Sequence, residues 1–187
     1  VEASVTYPAN FQLVAAMNPC PCGHFPDRSR CRCTDGQITR YLQKVSGPML
    51  DRIDICVEAS PITYGDIRSS GNNESSREIR ARVEQARKIQ RERFAGENIR
   101  CNGEMSGRHI RKFCWLGREE EKFMEEIFKK LALSARMHDR ILKVARTTAD
   151  LAEEEKIRLA DLCEAVSYVK SLSLIHISEP TRHAQIS

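Results

Sequence analysis

The stretch FQLVAAMNPCPCGHFPDRSRCRC, Phe11 to Cys33, joins an apolar run to a loop holding four of the chain's eight cysteines. Phe11 to Met17 is short, continuous and stopped by Asn18-Pro19. That is the pattern of a buried strand whose polar last residue stands at the edge of a core. Cys20, Cys22, Cys31 and Cys33 follow as two Cys-x-Cys pairs. Thr34 or Asp35 can then cap a helix with Ile38, Tyr41, Leu42 and Val45 at i, i+3, i+4 and i+7, ended by Gly47-Pro48. In IDICVEA, Ile53, Ile55 and Val57 alternate with Asp54, Cys56 and Glu58, the period of a strand with one buried face. Strand, helix and strand in this order predict an α/β fragment over residues 1–60.

The polar, Gly- and Ser-bearing stretch SPITYGDIRSSGNNESS reads as a linker, residues 61–75, at a domain boundary. Beyond it the pattern is helical through residues 76–171. Ser75 and Glu78 form a capping box ahead of a helix carrying Ile79, Val83, Ala86 and Phe94. A short helix is expected from Ser106 to about Leu116. A longer one follows with Phe123, Met124, Ile127, Phe128 and Leu131 on one side. Ser134 caps ARMHDRILKVARTTADL, and a last helix runs from about Leu159 to Val169.

Composition sets wide bounds. The 187 residues make one domain or two small ones, and 41% hydrophobic with 30% charged residues is an ordinary balance that supports a core. No run approaches the roughly 20 apolar residues of a membrane span. There is no secretory signal, and a chain starting at Val1 reads as one that begins in mid-protein. The net charge of +4 is mild, but Ser75 to Phe94 carries Arg77, Arg80, Arg82, Arg87, Lys88, Arg91 and Arg93 against Glu78, Glu84 and Glu92. A solvated helix face is the favoured reading of that bias, ahead of a nucleic-acid stripe. Cys56, Cys101, Cys114 and Cys163 are scattered and read as reduced thiols packed as small hydrophobes.

The end of the chain, LSLIHISEPTRHAQIS, breaks every preceding pattern. LSLIHISEPTR is the translation of a transposase-type adapter used in DNA sequencing libraries. Residues 172–187 are therefore expected to carry no fold or function signal, and His176 and His183 are not candidate ligands.

At YPANFQLVAAMNPCPCGHF, RYLQKVSGPMLDRIDICVE and LSARMHDRILKVARTTADL the chain resembles the magnesium-chelatase-like AAA+ ATPases of the ComM/YifB type. The match covers nearly all of residues 1–171, and three separate motifs in the family's order make it specific. The usual ARTIADL is here ARTTADL, a change expected to touch packing and not chemistry. The resemblance implies the back half of an AAA+ P-loop ATPase module followed by an all-α C-terminal lid domain. No G-x-x-x-x-G-K-[ST] phosphate loop occurs in the sequence, and no apolar strand ends in the Asp-Glu pair that holds Mg²⁺. In the family these groups lie upstream of Val1, so ATP and Mg²⁺ are expected to bind mainly there.

The resemblance also assigns roles by position. Asn18 matches sensor 1, a polar side chain that orients the attacking water beside the γ-phosphate; a strand-ending Asn-Pro turn is the plainer reading. Arg52 in GPMLDRID matches the arginine finger, which reaches a neighbouring subunit's nucleotide. Arg136, in the first turn after Ser134, matches sensor 2, with Arg140 one turn further on as reserve. In the family the cysteine loop directly follows sensor 1. Four thiolates there can satisfy a tetrahedral Zn²⁺, and Pro19, Pro21, Gly23 and Pro26 favour the tight turns of such a knuckle. Cys-x-Cys is tighter than the usual C-x₂₋₄-C, so reduced unligated thiols and a redox or cluster role stay open.

The function this implies is an oligomeric AAA+ motor, a ring hexamer in the cytoplasm, that couples ATP hydrolysis to remodelling of DNA. A chelatase-type motor acting on a protein partner and a stand-alone zinc-binding interaction module are the alternatives.

Overall fold

Short-range capping explains where four of the eight α-helices among the described residues begin. The computed structural model describes residues 7, 9, 11–50, 52–60, 62, 64–68 and 74–176, and of residues 47, 66, 67 and 169–176 the backbone alone. Thr34 is the N-cap of α1 (Asp35–Leu42) and closes a reciprocal capping box with Gln37. Two short helices follow, α2 (Gly47–Leu50) and α3 (Tyr64–Arg68). Ser75 and Glu78 make the expected box at α4 (Ser76–Arg93). Ser106 and His109 make another at α5 (Gly107–Phe113), where Ser106 N–H donates to His109 Nδ1 at 3.1 Å. After α6 (Arg118–Lys130), Ser134 accepts from Met137 N–H and opens α7 (Ala135–Leu151). The last helix is α8 (Leu159–His176).

Contacts divide the chain into two compact units, 1–46 and 47–187. In the second, α7 is the central element: it packs on α8, α4 and α5 and on the 3₁₀ turn Asn102–Glu104, while α6 packs on α8. Phe94, Met105, Ile110, Cys114, Met124, Ile141, Leu142, Ala145, Leu162 and Ala165 are among the side chains of its core. Phe94 and Phe113 meet edge to face at 5.3 Å.

The α/β expectation for residues 1–60 is corrected, because the described residues contain helices and no strand. Phe11 to Met17 lacks strand pairing, with Phe11 76% and Val14 82% exposed. The segment from Ile53 to Glu58 is likewise irregular, and Ile55 and Val57 are exposed instead of sharing a buried face. A strand's hydrogen bonds go to a neighbouring strand, and no second extended segment lies beside either run among the described residues. Apolar periodicity alone does not supply that partner.

Smaller departures have local causes. Helix α1 stops at Leu42, before Val45, and Gly47-Pro48 starts α2 instead of ending α1, consistent with proline's fit to a first helical turn. Ile79 and Val83 are half-exposed, since only the C-terminal half of α4, with Ala86, Gln90 and its cap Phe94, is buried. Helix α8 continues past Val169 to His176, so residues 172–176 are helical, and 177–187, with His183, lie outside the described residues. Cys114 is buried as expected, but Cys163 is exposed on α8 beside the buried Leu162.

Candidate functional site

The cysteine loop is shaped by backbone turns. Gly23 N–H donates to Cys20 O at 3.0 Å, and Gly23 takes φ +80°, which a side chain would strain. The Asn18 amide lies 3.8 Å from where a Cβ on Gly23 would stand. Further on, the Asp27 carboxylate accepts from Ser29 N–H at 2.9 Å and Ser29 O–H at 2.6 Å. Those bonds hold the Asp27 carboxyl below its ordinary range. Asp27 O accepts from Cys31 N–H at 2.8 Å, which turns the second Cys-x-Cys pair back towards the first. Arg28 pairs with Asp35 in the first turn of α1 and stacks 5.1 Å over the Phe25 ring, fastening the loop to that helix.

The result is a four-sulfur cluster. Cys20 Sγ lies 3.3 Å from Cys22 Sγ and 3.8 Å from Cys31 Sγ, and Cys22 Sγ lies 3.6 Å from Cys31 Sγ. All four sulfurs, Cys33 included, are within 4.8 Å of one another. Four sulfurs on bonds of about 2.3 Å around one tetrahedral cation stand about 3.8 Å apart, so the cluster has the size of a metal–thiolate site. Cys20 is buried, Cys31 and Cys33 are half-buried and Cys22 is exposed.

Their ionisation is divided. The His24 backbone N–H, followed by the Cys20 thiol, lowers Cys22 to about 6. Burial pushes Cys33 up to about 12, with the neighbouring Cys22 and Cys20 sulfurs adding to it. Burial also acts against the Cys20 thiolate, but the Phe25 N–H donating at 3.4 Å helps to bring it below its ordinary value. Cys31 is raised: the Cys33 backbone N–H favours its thiolate, but burial and the Cys22 and Cys20 sulfurs outweigh it. Negative sulfurs this close oppose one another, and a bound cation is what allows all four to be thiolates at once.

The other predicted site residues are separate from this cluster. Asn18 is exposed and borders the cysteine loop. Arg52 is exposed just beyond α2, and its guanidinium donates to Pro48 O at 2.5 Å. Arg136 is exposed in the first turn of α7, whereas Arg140 is buried, with its Nε 3.5 Å from an Asp54 carboxylate oxygen. Arg140 also faces the half-buried Cys56, whose thiol burial pushes up.

Residues 73–169 match the family model described as magnesium chelatase, subunit ChlI C-terminal, and residues 1–67 match the model for magnesium chelatase, subunit ChlI. The chain belongs to the magnesium-chelatase family. It is 40% identical over 175 residues to the competence protein ComM of Haemophilus influenzae, an alignment covering 93% of this chain and 33% of that one. It is 42% identical over 169 residues to the protein YifB of Salmonella typhimurium, covering 89% of this chain and 32% of that one. The chain thus spans about a third of the length of the curated relatives it matches.

Within the magnesium chelatase C-terminal match, the structure shows a buried polar centre that the sequence reading missed. Asp150, fully buried, pairs with Arg93 on α4 and accepts from Arg146 Nε at 3.1 Å and Asn102 Nδ2 at 2.8 Å. Arg146 spends its other N–H groups on Glu155 O at 2.7 Å and Glu154 O at 2.6 Å. Arg146 and Asp150 are the Arg and Asp of ARTTADL, so this motif joins α4, α7 and the turn at Asn102. Thr148, the departure within that motif, is half-buried and bonds back to Val144 O at 3.2 Å, inside its own helix. Their i, i+4 spacing was a visible signal, but the partner on α4 was not.

Proposed function

We propose that this chain is part of an AAA+ ATPase that couples ATP binding and hydrolysis to remodelling of DNA. The family match over both parts of the chain is the observation that carries this reading. The relative named a competence protein supports DNA as the substrate. The description of the matched family as magnesium chelatase favours, as the second reading, a motor acting on a protein partner. Salt-sensitive DNA binding by the full-length protein separates the two.

In this reading residues 1–60 belong to the ATPase core, 61–75 link it to a helical domain over 76–171, and 172–187 are adapter translation. ATP and Mg²⁺ are held mainly by the part of the protein outside this chain. Asn18 serves as sensor 1 and Arg136 as sensor 2; Arg136 has the exposure that contact with nucleotide requires, while Arg140, the reserve, is buried beside Asp54. Cys20, Cys22, Cys31 and Cys33 hold one structural Zn²⁺. Four protein thiolates leave no open position for catalysis, so the ion would stiffen the loop next to Asn18. The assembly is a cytoplasmic ring hexamer. No helix among the described residues is long and apolar enough to cross a membrane.

Arg52 is the arginine finger. Its guanidinium is exposed, always charged, and presents a fixed fork that Lys cannot copy. Comparable fingers contribute roughly 10³–10⁵ to turnover. In the full-length protein, Arg52→Ala is expected to abolish most ATP hydrolysis while nucleotide binding survives. Mixing it with an inactive phosphate-loop Lys variant should restore some activity, because the first supplies an intact nucleotide site and the second an intact finger. Normal hydrolysis by Arg52→Ala, or inactive mixtures in which mixed rings form, would refute the assignment.

A further inference from the structure

Arg87 and Arg91, one turn apart on α4, line a recess of about 300 Å³ together with Ile99 and Arg100 from the segment that follows the helix. All three arginines are exposed, and none forms an ion pair with a carboxylate among the described residues. Neighbouring arginines do: Arg82 pairs with Glu74, Arg93 with Asp150 and Arg108 with Glu97. The carboxylates nearest in sequence to Arg100 are engaged otherwise: Glu97 pairs with Arg108 and Lys112, and Glu104 accepts the Arg100 backbone N–H at 2.8 Å. Like charges at i, i+4 destabilise a helix, and a third guanidinium on the same recess adds to the repulsion. A ligand with several negative oxygens reverses that cost. Guanidinium forks suit phosphate groups, and the half-buried Ile99 that shares the recess offers an apolar surface to a sugar.

We infer that the Arg87–Arg91–Arg100 recess binds the phosphate backbone of a nucleic-acid strand. This rests on the DNA reading proposed above and gives it a contact surface on the helical domain. Arg80 lies seven residues before Arg87 on the same helix and Arg77 three before Arg80; interrupted by Glu84, they extend the basic track towards the N-terminus of α4. The recess itself distinguishes this surface from an ordinary solvated helix face.

The test uses the full-length protein and a fluorescent oligothymidylate, with a blunt duplex of equal length as a second probe and free ATP as a third. For Arg87→Gln/Arg91→Gln/Arg100→Gln, loss of three phosphate contacts should lower the slope of log K against log salt for the single strand by about 2. The affinity at moderate salt should fall by at least about tenfold. Lys122→Gln/Lys129→Gln/Lys130→Gln on α6 removes the same charge and should leave both quantities unchanged, as should ATP hydrolysis without DNA in either variant. Equal losses in the two variants, or a wild-type slope in the arginine variant while the parent binds DNA, would overturn the recess and leave the DNA reading standing. So would a loss confined to ATP binding. A parent that binds neither strand nor duplex in a salt-dependent way would overturn both.

Discussion

Among the described residues of unit 1–46 the buried side chains are Cys20 and Ile38, while Phe11, Leu13, Val14 and Met17 are exposed. In unit 47–187 a continuous cluster from Phe94 to Val166 is buried, and charged groups inside it are paired around Asp150. The first unit is held by turns, caps and four converging sulfurs, all close in sequence. The second is held by apolar burial and by contacts that cross tens of residues. A small segment without a core of its own depends on a cross-link or a metal, whereas a helical cluster of this kind supplies its own stability.

The largest expected effect comes from breaking the sulfur cluster. Protein purified without chelator should carry one Zn²⁺ per chain. Its removal, or Cys20→Ser, should make residues 11–46 protease-sensitive while the melting of the helical unit stays in place. Because thiolates must be free of protons to bind, acidification should release the ion and raising the pH should restore it. Near-zero zinc together with an unchanged Cys20→Ser variant would break the comparison, leaving the loop to its hydrogen bonds alone.

Next is Asp150→Ala, which leaves Arg93 and Arg146 without their shared carboxylate in a buried setting. A cost of about 3–5 kcal/mol is expected in denaturant titrations read on the helical unit. A loss below about 1 kcal/mol would mean that the paired charges do not hold α4 to α7. The smallest effect belongs to the caps: Ser134→Ala removes the acceptor of the Met137 N–H and should cost about 1 kcal/mol. The same change at Thr34 tests whether the first unit responds to its cap as the second does.

Legibility followed the range of the interactions. The boxes at Ser75 and the cap at Ser134 span three residues, so their signals were readable and the helices start there. The cysteine cluster was equally readable, because spacing and turn residues within fourteen positions bring its sulfurs together. The apolar run from Phe11 to Met17 was misread as a strand, since periodicity reports a wish for burial and not the presence of a neighbour. At Arg140 the sequence offered a reserve nucleotide contact, but burial beside Asp54 is a property of packing.

By itself the sequence determined the helical character of the second unit, the position of its caps, the four-thiol loop and the absence of a phosphate loop from these residues. The tertiary structure decided that Arg93 and Arg146 share Asp150, that Arg87, Arg91 and Arg100 line one recess, and that Arg52 and Arg136 stay exposed while Arg140 does not. Capping and turns act between residues a few positions apart, whose geometry the local chain dictates. Pairing of charges across helices depends on which faces meet, and only the packed core sets that.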